Sequence, residues 1–341
     1  MEIGIDSFVS TQWTHDSPSG DAKRIAELLE EIEMADKVGL DVYAIGEHHR
    51  EEYLASAPTI LLAAAAARTK NIRLASAVTV LSSDDPIRVY QQFATIDLIS
   101  NGRAEIMVGR GSFIESYPLF GFDLKDYETL FAEKLDLLLT VRDEINVHWS
   151  GTHRAPLKGE GVYPRPVQSP LPVIIGVGGT PQSFARAGAL GLPLIVAIIG
   201  GEPHRFRPLI DLYREAGRRA GHSPDKLWVG VHVHGFVAET TEKAADILWP
   251  EYQRTFNKIG AERGWGPTTR GSFDAQRGPL GALLVGDPET VAAKMLHIDE
   301  SLGGVKRITM LLNGSTLTHE NALRHIELLG TEVKPRVNGL M

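Results

Sequence analysis

Short runs of β-branched and apolar residues alternate along the chain with longer stretches in which apolar residues recur every three or four positions. The first pattern predicts strands and the second predicts helices with one apolar side, so the alternation predicts a parallel sheet joined by crossover helices. Strands are expected at residues 3–8, 42–46, 72–80 and 104–108, separated by helices at 22–38, 57–69 and 87–99. In the first helix Ile25, Leu28, Leu29 and Ile32 fall at helical spacing, and Gly39 ends the run. A long fourth helix is expected at 125–147, followed by strands at 173–177, 194–199, 228–237 and 307–312 with helices near Gln182, Pro208, Lys243 and Glu289. Eight such units in 341 residues predict an α/β protein, a (β/α)8 TIM barrel formed as one domain over residues 1–341.

Two stretches interrupt the alternation. Residues 148–170 are rich in Pro and Gly and read as an insertion. Residues 264–286, with many Gly, Pro and Arg, are too long for an ordinary connection and read either as a surface loop or as a lid at the carboxyl ends of the strands.

Composition narrows the function. With 43% hydrophobic and 23% charged residues the chain can bury a large core. A formal charge of -8 argues against nucleic acid or an anionic membrane as partner, since both reward a basic face. There is no cysteine, which removes disulfides, thiolate metal ligands and cysteine nucleophiles from consideration. The start of the chain carries Glu2 and Asp6 and lacks the basic and apolar regions of an export signal, and the longest membrane-span candidate, 61–67, ends at Arg68. A cytoplasmic protein is expected.

In a barrel the chemistry sits where strands end, so polar residues just after each strand are the candidates. After strand two stands Glu47-His48-His49-Arg50, where a neutral imidazole can act as a base near neutral pH. Neighbouring residues on a strand point to opposite sides, so His48 and His49 are not expected to share a target, and no third ligand has the spacing for a metal. The bland alternative is a polar strand end that caps the next helix. After strand four, Gly109-Arg110-Gly111 combines close backbone approach with a planar guanidinium suited to phosphate, and a tight turn with a solvated arginine accounts for the same triplet. After strand five, Gly178 and Gly179 free backbone amides, Thr180 stands at a helix N-cap with Pro181 at the first helical position, and Ser183 adds a hydroxyl in the first turn. A glycine turn leading into a capped helix accounts for the same residues. Strand three, with Ser76-Ala77-Val78-Thr79, offers small and β-branched residues against which a flat ring can lie, although composition alone favours an ordinary core strand followed by a helix start. His232 and His234 share one side of strand seven, and lumen histidines are the better reading there than a metal pair. Phe8, Trp13, Tyr43, Phe113 and Trp265 are candidates for an apolar pocket.

The order of these pieces resembles bacterial luciferase and its flavin-dependent relatives. The resemblance runs from about Ile3 to Pro335 and is carried by Glu47-His48-His49, Gly102-Arg103 with Gly109-Arg110-Gly111, Gly178-Gly179-Thr180, Gly191-Leu192-Pro193 and Val285-Gly286-Asp287-Pro288-Glu289. It implies an FMN site with Arg110, Gly178, Gly179, Thr180 and Ser183 at the phosphate and Ala77 and Val78 beneath the isoalloxazine. It also implies a non-prolyl cis peptide at Ala77-Val78 and a catalytic role for His48. The implied reaction uses FMN reduced by a separate flavin reductase, together with O2, to oxygenate a small apolar organic substrate, in a homodimer built on helices of the first half-barrel. Bacterial luciferase has a reactive cysteine where this chain has Gly109, and a Glu-Ser pair where it has Gly179-Thr180, which argues against light emission. An oxidoreductase using deazaflavin F420, a barrel isomerase or aldolase acting on a phosphorylated substrate, and a non-enzymatic flavin-binding protein stand as alternatives.

Overall fold

The computed structural model describes residues 1–11, 18–312, 314 and 316–339. Trp13 lies outside the described residues. Eight parallel strands form the barrel: β1 (Glu2–Ser7), β2 (Val42–Ile45), β3 (Arg73–Ser76), β4 (Ala104–Gly109), β5 (Val173–Val177), β6 (Leu194–Ala197), β7 (Val229–Val237) and β8 (Arg307–Leu311). Each pairs with the next, and β8 returns to β1 through the register Glu2↔Arg307 to Asp6↔Leu311, which closes the sheet. The main helices are α1 (Pro18–Lys37), α2 (Pro58–Arg68), α3 (Pro86–Ser100), α4 (Tyr127–Asp143), α5 (Pro181–Ala189), α6 (Arg207–Arg219), α7 (Thr241–Arg263) and α8 (Pro288–Leu302). Among the described residues no helix is long and apolar enough to cross a membrane.

The two faces of the strands do different work. Ile3 and Ile5 of β1, Tyr43 and Ile45 of β2, Ile106 and Val108 of β4 and Ile308 and Met310 of β8 join one large apolar cluster with helix residues such as Leu28, Phe93 and Met295. The alternate positions form separate lumen clusters, Val42, Ala44 and Ala75 in one and Met107, Ile174 and Ile195 in another. Tyr43 therefore belongs to the outer core, where its hydroxyl reaches Glu31, and not to the pocket expected from the sequence. Near the amino ends of the strands the barrel holds an ion cluster. The buried Arg307 donates to both Glu105 oxygens at 2.6 and 3.0 Å and to Glu2 at 2.9 Å, while Arg73 reaches Glu2 and Glu105 at 2.8 and 3.1 Å. Charges so enclosed are tolerated only when paired in this way.

The expected third strand, 72–80, is interrupted. It breaks after Ser76 at a cis peptide between Ala77 and Val78 and resumes as Thr79–Val80, which pairs with β4. The expected fourth helix stops at Asp143, because Glu144 is extended and the alternation of Val147 and Trp149 with polar residues prevails as strand Asn146–Trp149, antiparallel to Leu157–Gly161. The insertion therefore contains a hairpin, and the chain returns to β5 past cis bonds at Pro164 and Pro170. Residues 264–286 also carry structure of their own. Gly264, at φ +71, ends α7, and a helix Arg270–Arg277 buries Phe273 against Trp249 and Tyr252. Strand Leu284–Gly286 then extends the sheet beside β7.

Candidate active site

The carboxyl ends of the strands open into a cavity of about 380 Å³. Its inner surface is set by the lumen positions Met107, Gly109, Gly176, Ile195, Ala197 and Leu311, and its outer wall by Leu248, Tyr252, Phe256 and Ile259 of α7 with Phe8, Tyr53, Phe113 and Trp265. Two glycines make room at the rim of β4 and β5. A Cβ on Gly109 would lie 2.8 Å, and one on Gly176 2.6 Å, from methyl groups of Val78, so neither position admits a larger residue while Val78 keeps its place.

Val78 is placed by the cis peptide and by β2. The Ala77 N–H donates to the Ile45 carbonyl at 2.8 Å and the Glu47 N–H donates to the Val78 carbonyl at 3.2 Å. The Glu47 carboxylate continues the clamp, accepting from Val80 N–H at 2.8 Å through one oxygen and meeting His49 Nε2 at 2.8 Å through the other. Sequence reasoning grouped Glu47 with its neighbours and did not foresee this role. His49 turns away from the cavity toward Phe120, while His48 lines the cavity, as the strand alternation required.

His48 is enclosed by aromatic rings, with centroids at 4.3 Å from Phe8, 4.8 Å from Tyr53 and 5.3 Å from Phe113. Burial, reinforced by His49 and Arg50, pushes its pKa down to about 3, so the imidazole is neutral across the physiological range. Its Nε2 is buried without a hydrogen-bond partner.

On the other side of the cavity the loop after β5 meets the loop after β4. Gly178, Thr180, Ser183 and Arg110 all line the cavity; Gly179, one step along the same exposed loop, does not. Thr180 occupies the N-cap of α5, but its side chain makes no capping bond; with Pro181 lacking an N–H and the Ser183 N–H given to the Thr180 carbonyl at 3.0 Å, that hydroxyl and the Gln182 amide are left for another partner. The Arg110 guanidinium donates to Ser183 Oγ at 3.2 Å, stands over the Tyr127 ring at 5.0 Å and pairs with Glu128. Backbone amides at a helix start, a hydroxyl and a guanidinium form a donor set that fits a phosphate. A Cβ built on Gly178 or Gly179 meets nothing within 4 Å, so space is open there for such a group.

The third side was the least legible. Asp6 of β1 is buried and its Oδ2 meets His232 Nδ1 at 2.7 Å and accepts from Thr309 Oγ1 at 2.6 Å. Burial opposes charge on His232, but the adjacent Asp6 carboxylate outweighs it and raises the imidazole pKa above its ordinary value. His234, two residues along, has no such partner, and burial beside His232 takes its pKa down to about 3. Among the described residues no cluster of three or more His, Asp or Glu side chains could hold a metal ion.

An apolar cavity at the carboxyl end of a (β/α)8 barrel, with a guanidinium and hydroxyls on one side and a neutral histidine on another, is where this architecture carries its chemistry. The luciferase-like monooxygenase family model matches residues 5–304, and the chain belongs to that family. It is 28% identical over 332 residues to 4-hydroxyprotoasukamycin monooxygenase of Streptomyces nodosus subsp. asukaensis, covering 91% of this chain and 86% of that protein. Among solved structures it resembles the monooxygenase RslO1 of Streptomyces bottropensis, with a TM-score of 0.86 at 24% identity over 98% of this chain and 99% of the other. It also resembles the oxygenating constituent of 3,6-diketocamphane monooxygenase of Pseudomonas putida, solved with FMN, with a TM-score of 0.79 at 20% identity over 99% of each chain. An F420-dependent secondary alcohol dehydrogenase, solved with an F420-acetone adduct, shares the fold with a TM-score of 0.77 at 19% identity over 98% of each chain.

Proposed function

We propose that this protein is the oxygenating component of a two-component monooxygenase, taking FMN reduced by a separate flavin reductase and using O2 to oxygenate a small apolar organic substrate. The observation that carries the reading is the meeting, in one cavity, of the Arg110–Ser183 donor set at the start of α5 with the Ala77–Val78 shelf and the neutral His48. Arg110, Ser183, Thr180 and the amide of Gly178 would hold the phosphate, and Ala77 and Val78 would support the ring. Reduced flavin, when bound, supplies the electrons that activate O2.

The residues of the chain do the rest. The apolar wall of α7, with Leu248, Tyr252, Phe256 and Ile259, would hold an apolar body and limit water beside it. His48 offers a hydrogen-bonding nitrogen at Nε2. With a pKa near 3, complete protonation at pH 7 costs on the order of 5 kcal/mol. His48 therefore shares a proton during turnover and does not store one between turnovers.

Two copies would associate through helices of the first half-barrel, where Ile60 of α2 and Leu98 and Ile99 of α3 are exposed, and the cytoplasm is the expected compartment. Anaerobic titration with reduced FMN tests the cofactor: binding at micromolar affinity or better is expected, and no binding sinks the proposal. The F420 reading draws support from the shared fold with the alcohol dehydrogenase. Preference for F420 over reduced FMN in the same titration would replace one reading by the other.

A further inference from the structure

We propose that His232, held by Asp6, is the cavity's docking point for an oxygen acceptor on the substrate, so that the substrate class is an apolar body carrying a carbonyl or equivalent oxygen. This rests on the reading of the cavity as that of a monooxygenase and adds to it what the substrate must present.

The geometry fixes which nitrogen of His232 does the docking. Nδ1 faces Asp6 Oδ2 at 2.7 Å, and that carboxylate oxygen is already shared with the Thr309 hydroxyl at 2.6 Å. A carboxylate only accepts, so Nδ1 carries its hydrogen toward Asp6 and the ring cannot turn to present Nδ1 elsewhere without stranding a buried charge. The second Asp6 oxygen, Oδ1, is buried with no partner. The Asp6 side chain thus meets one hydroxyl and the His232 ring, a pairing that favours the cationic form of the histidine. Nε2 is left, on a side chain that keeps 15% of its surface and lines the cavity. Among the described residues no hydrogen bond reaches it.

The surroundings make this nitrogen distinctive. Phe8 stacks on the His232 ring with centroids 6.3 Å apart and planes 21° apart, and His234 stands edge-on at 6.1 Å. His234 in turn packs against Tyr252 and Phe256 of α7. The titratable groups that share the cavity with His232 are Asp6 of β1, Glu47, His48 and Tyr53 after β2, Arg110 after β4, Tyr127 of α4, His234 of β7, and Glu251, Tyr252 and Arg263 of α7. Burial holds His48 and His234 neutral, whereas the Asp6 carboxylate at 2.7 Å favours the protonated form of His232, the form in which Nε2 as well as Nδ1 carries a hydrogen. A charged donor in an apolar cavity favours an acceptor oxygen over an isosteric hydrocarbon, because the hydrocarbon would leave the donor buried and unpaired. Asp6 acts through His232 and is a positioning residue.

Acetophenone and α-methylstyrene, which differ only in C=O against C=CH2, are suitable probes. Calorimetric titration of the full chain at pH 6 should show acetophenone bound about ten- to a hundred-fold more tightly. His232→Phe should bring the two affinities together while leaving reduced FMN titration unchanged. Asp6→Asn should move the NMR titration of His232 to lower pH and reduce the preference at pH 7. In the wild type the preference should fall as pH rises through the pKa of His232, where the donor loses its charge. Equal affinities in the wild type, uptake of neither probe, or a preference that survives His232→Phe overturns the proposal. Loss of reduced FMN binding in His232→Phe with the ketone preference intact would assign the nitrogen to the cofactor and also overturns it. Failure of wild-type protein to bind FMN, with the probe preference intact, would instead strike only the cofactor reading.

Discussion

Glu128 offers a test of the proposed phosphate site that separates charge from scaffolding. Its carboxylate, in the first turn of α4, pairs with Arg110 and lies 3.4 Å from Arg186 of α5, while Arg110 separately donates to Ser183. An arriving phosphate would meet a guanidinium that is already neutralised and a carboxylate a few ångströms from its own oxygens. Two unit charges 4 Å apart interact by about 1 kcal/mol in water and about 4 kcal/mol at the lower effective dielectric of a protein surface. The Glu128 side chain is 57% exposed, so solvent screening places the repulsion toward the smaller figure. About 1 kcal/mol corresponds to roughly five-fold in affinity.

Glu128→Gln should therefore tighten reduced FMN about three- to ten-fold. The bond from Arg110 to Ser183 and the Tyr127 ring beneath the guanidinium keep Arg110 in place when its carboxylate partner is gone. Riboflavin, which lacks the phosphate, should bind the variant as it binds the wild type, and the FMN gain should shrink as salt is added. Anaerobic fluorescence titrations of both flavins at two ionic strengths measure this directly. Weaker FMN binding would make Glu128 a necessary support for Arg110, and an equal gain for riboflavin would remove the phosphate from the argument; either result refutes the reasoning.

Arg110→Ala should cost FMN about ten- to a hundred-fold in affinity and riboflavin much less, since a charge-assisted bond is lost only with the phosphate; equal losses in parallel titrations would take Arg110 out of that role. His48→Phe keeps a ring among Phe8, Tyr53 and Phe113 but removes Nε2, so the fold should survive while turnover on an identified substrate drops at least about ten-fold, and unchanged turnover would dismiss the residue. His48, His234 and His325 stay neutral in the folded chain down to about pH 3, whereas the unfolded chain protonates them near 6.5. The unfolded state thus binds more protons below pH 6.5, and the stability present above that pH is lost as pH falls toward 3, by about 1.4 kcal/mol per unit for each histidine. Urea midpoints at pH 7.5 and 5.5 should differ accordingly, with a smaller difference in His234→Phe; flat midpoints would contradict the assignment.

The barrel was legible because its outer face obeys simple rules. Ile3 and Ile5, Ile106 and Val108, Ile308 and Met310 give apolar strands on any reading, and helix-breaking Gly39 at φ +78 marks a boundary that few other residues would tolerate. The break at Ala77–Val78 came from the family resemblance alone, since Ser76-Ala77-Val78-Thr79 reads locally as an uninterrupted strand. The early end of α4 was missed because the helical period of its apolar residues runs on past Asp143, and only pairing with Leu157–Gly161 turns Val147 into a strand residue. The loop residues at the rim of β4 and β5 were found because glycine, arginine and a capped helix start leave a local signature. Gly179, a member of the same signature, does not line the cavity, a difference of one residue that a local motif does not resolve.

The Asp6–His232 pair had no local signature, and the reason lies in the barrel itself. Asp6 in a run of strand residues reads as an interruption, and His232 with His234 reads as a repeat on one side of β7. Only closure joins them. Thr309 is opposite His232 and Gly4, while Asp6 is opposite Leu311, which is opposite His234, so the carboxylate sits one lumen step along from the residues it binds. Closure sets residues 226 positions apart at 2.7 Å, and it does so through β8, the last strand to arrive. A site built across the β1–β8 seam exists only once the whole barrel is shut, whereas the Arg110–Ser183 pair needs only β4, β5 and the start of α5. Mild destabilisation that loosens the seam, followed in urea by NMR, should therefore return the His232 imidazole titration toward its ordinary value before the side-chain signals of Arg110 report loss of its contact with Ser183.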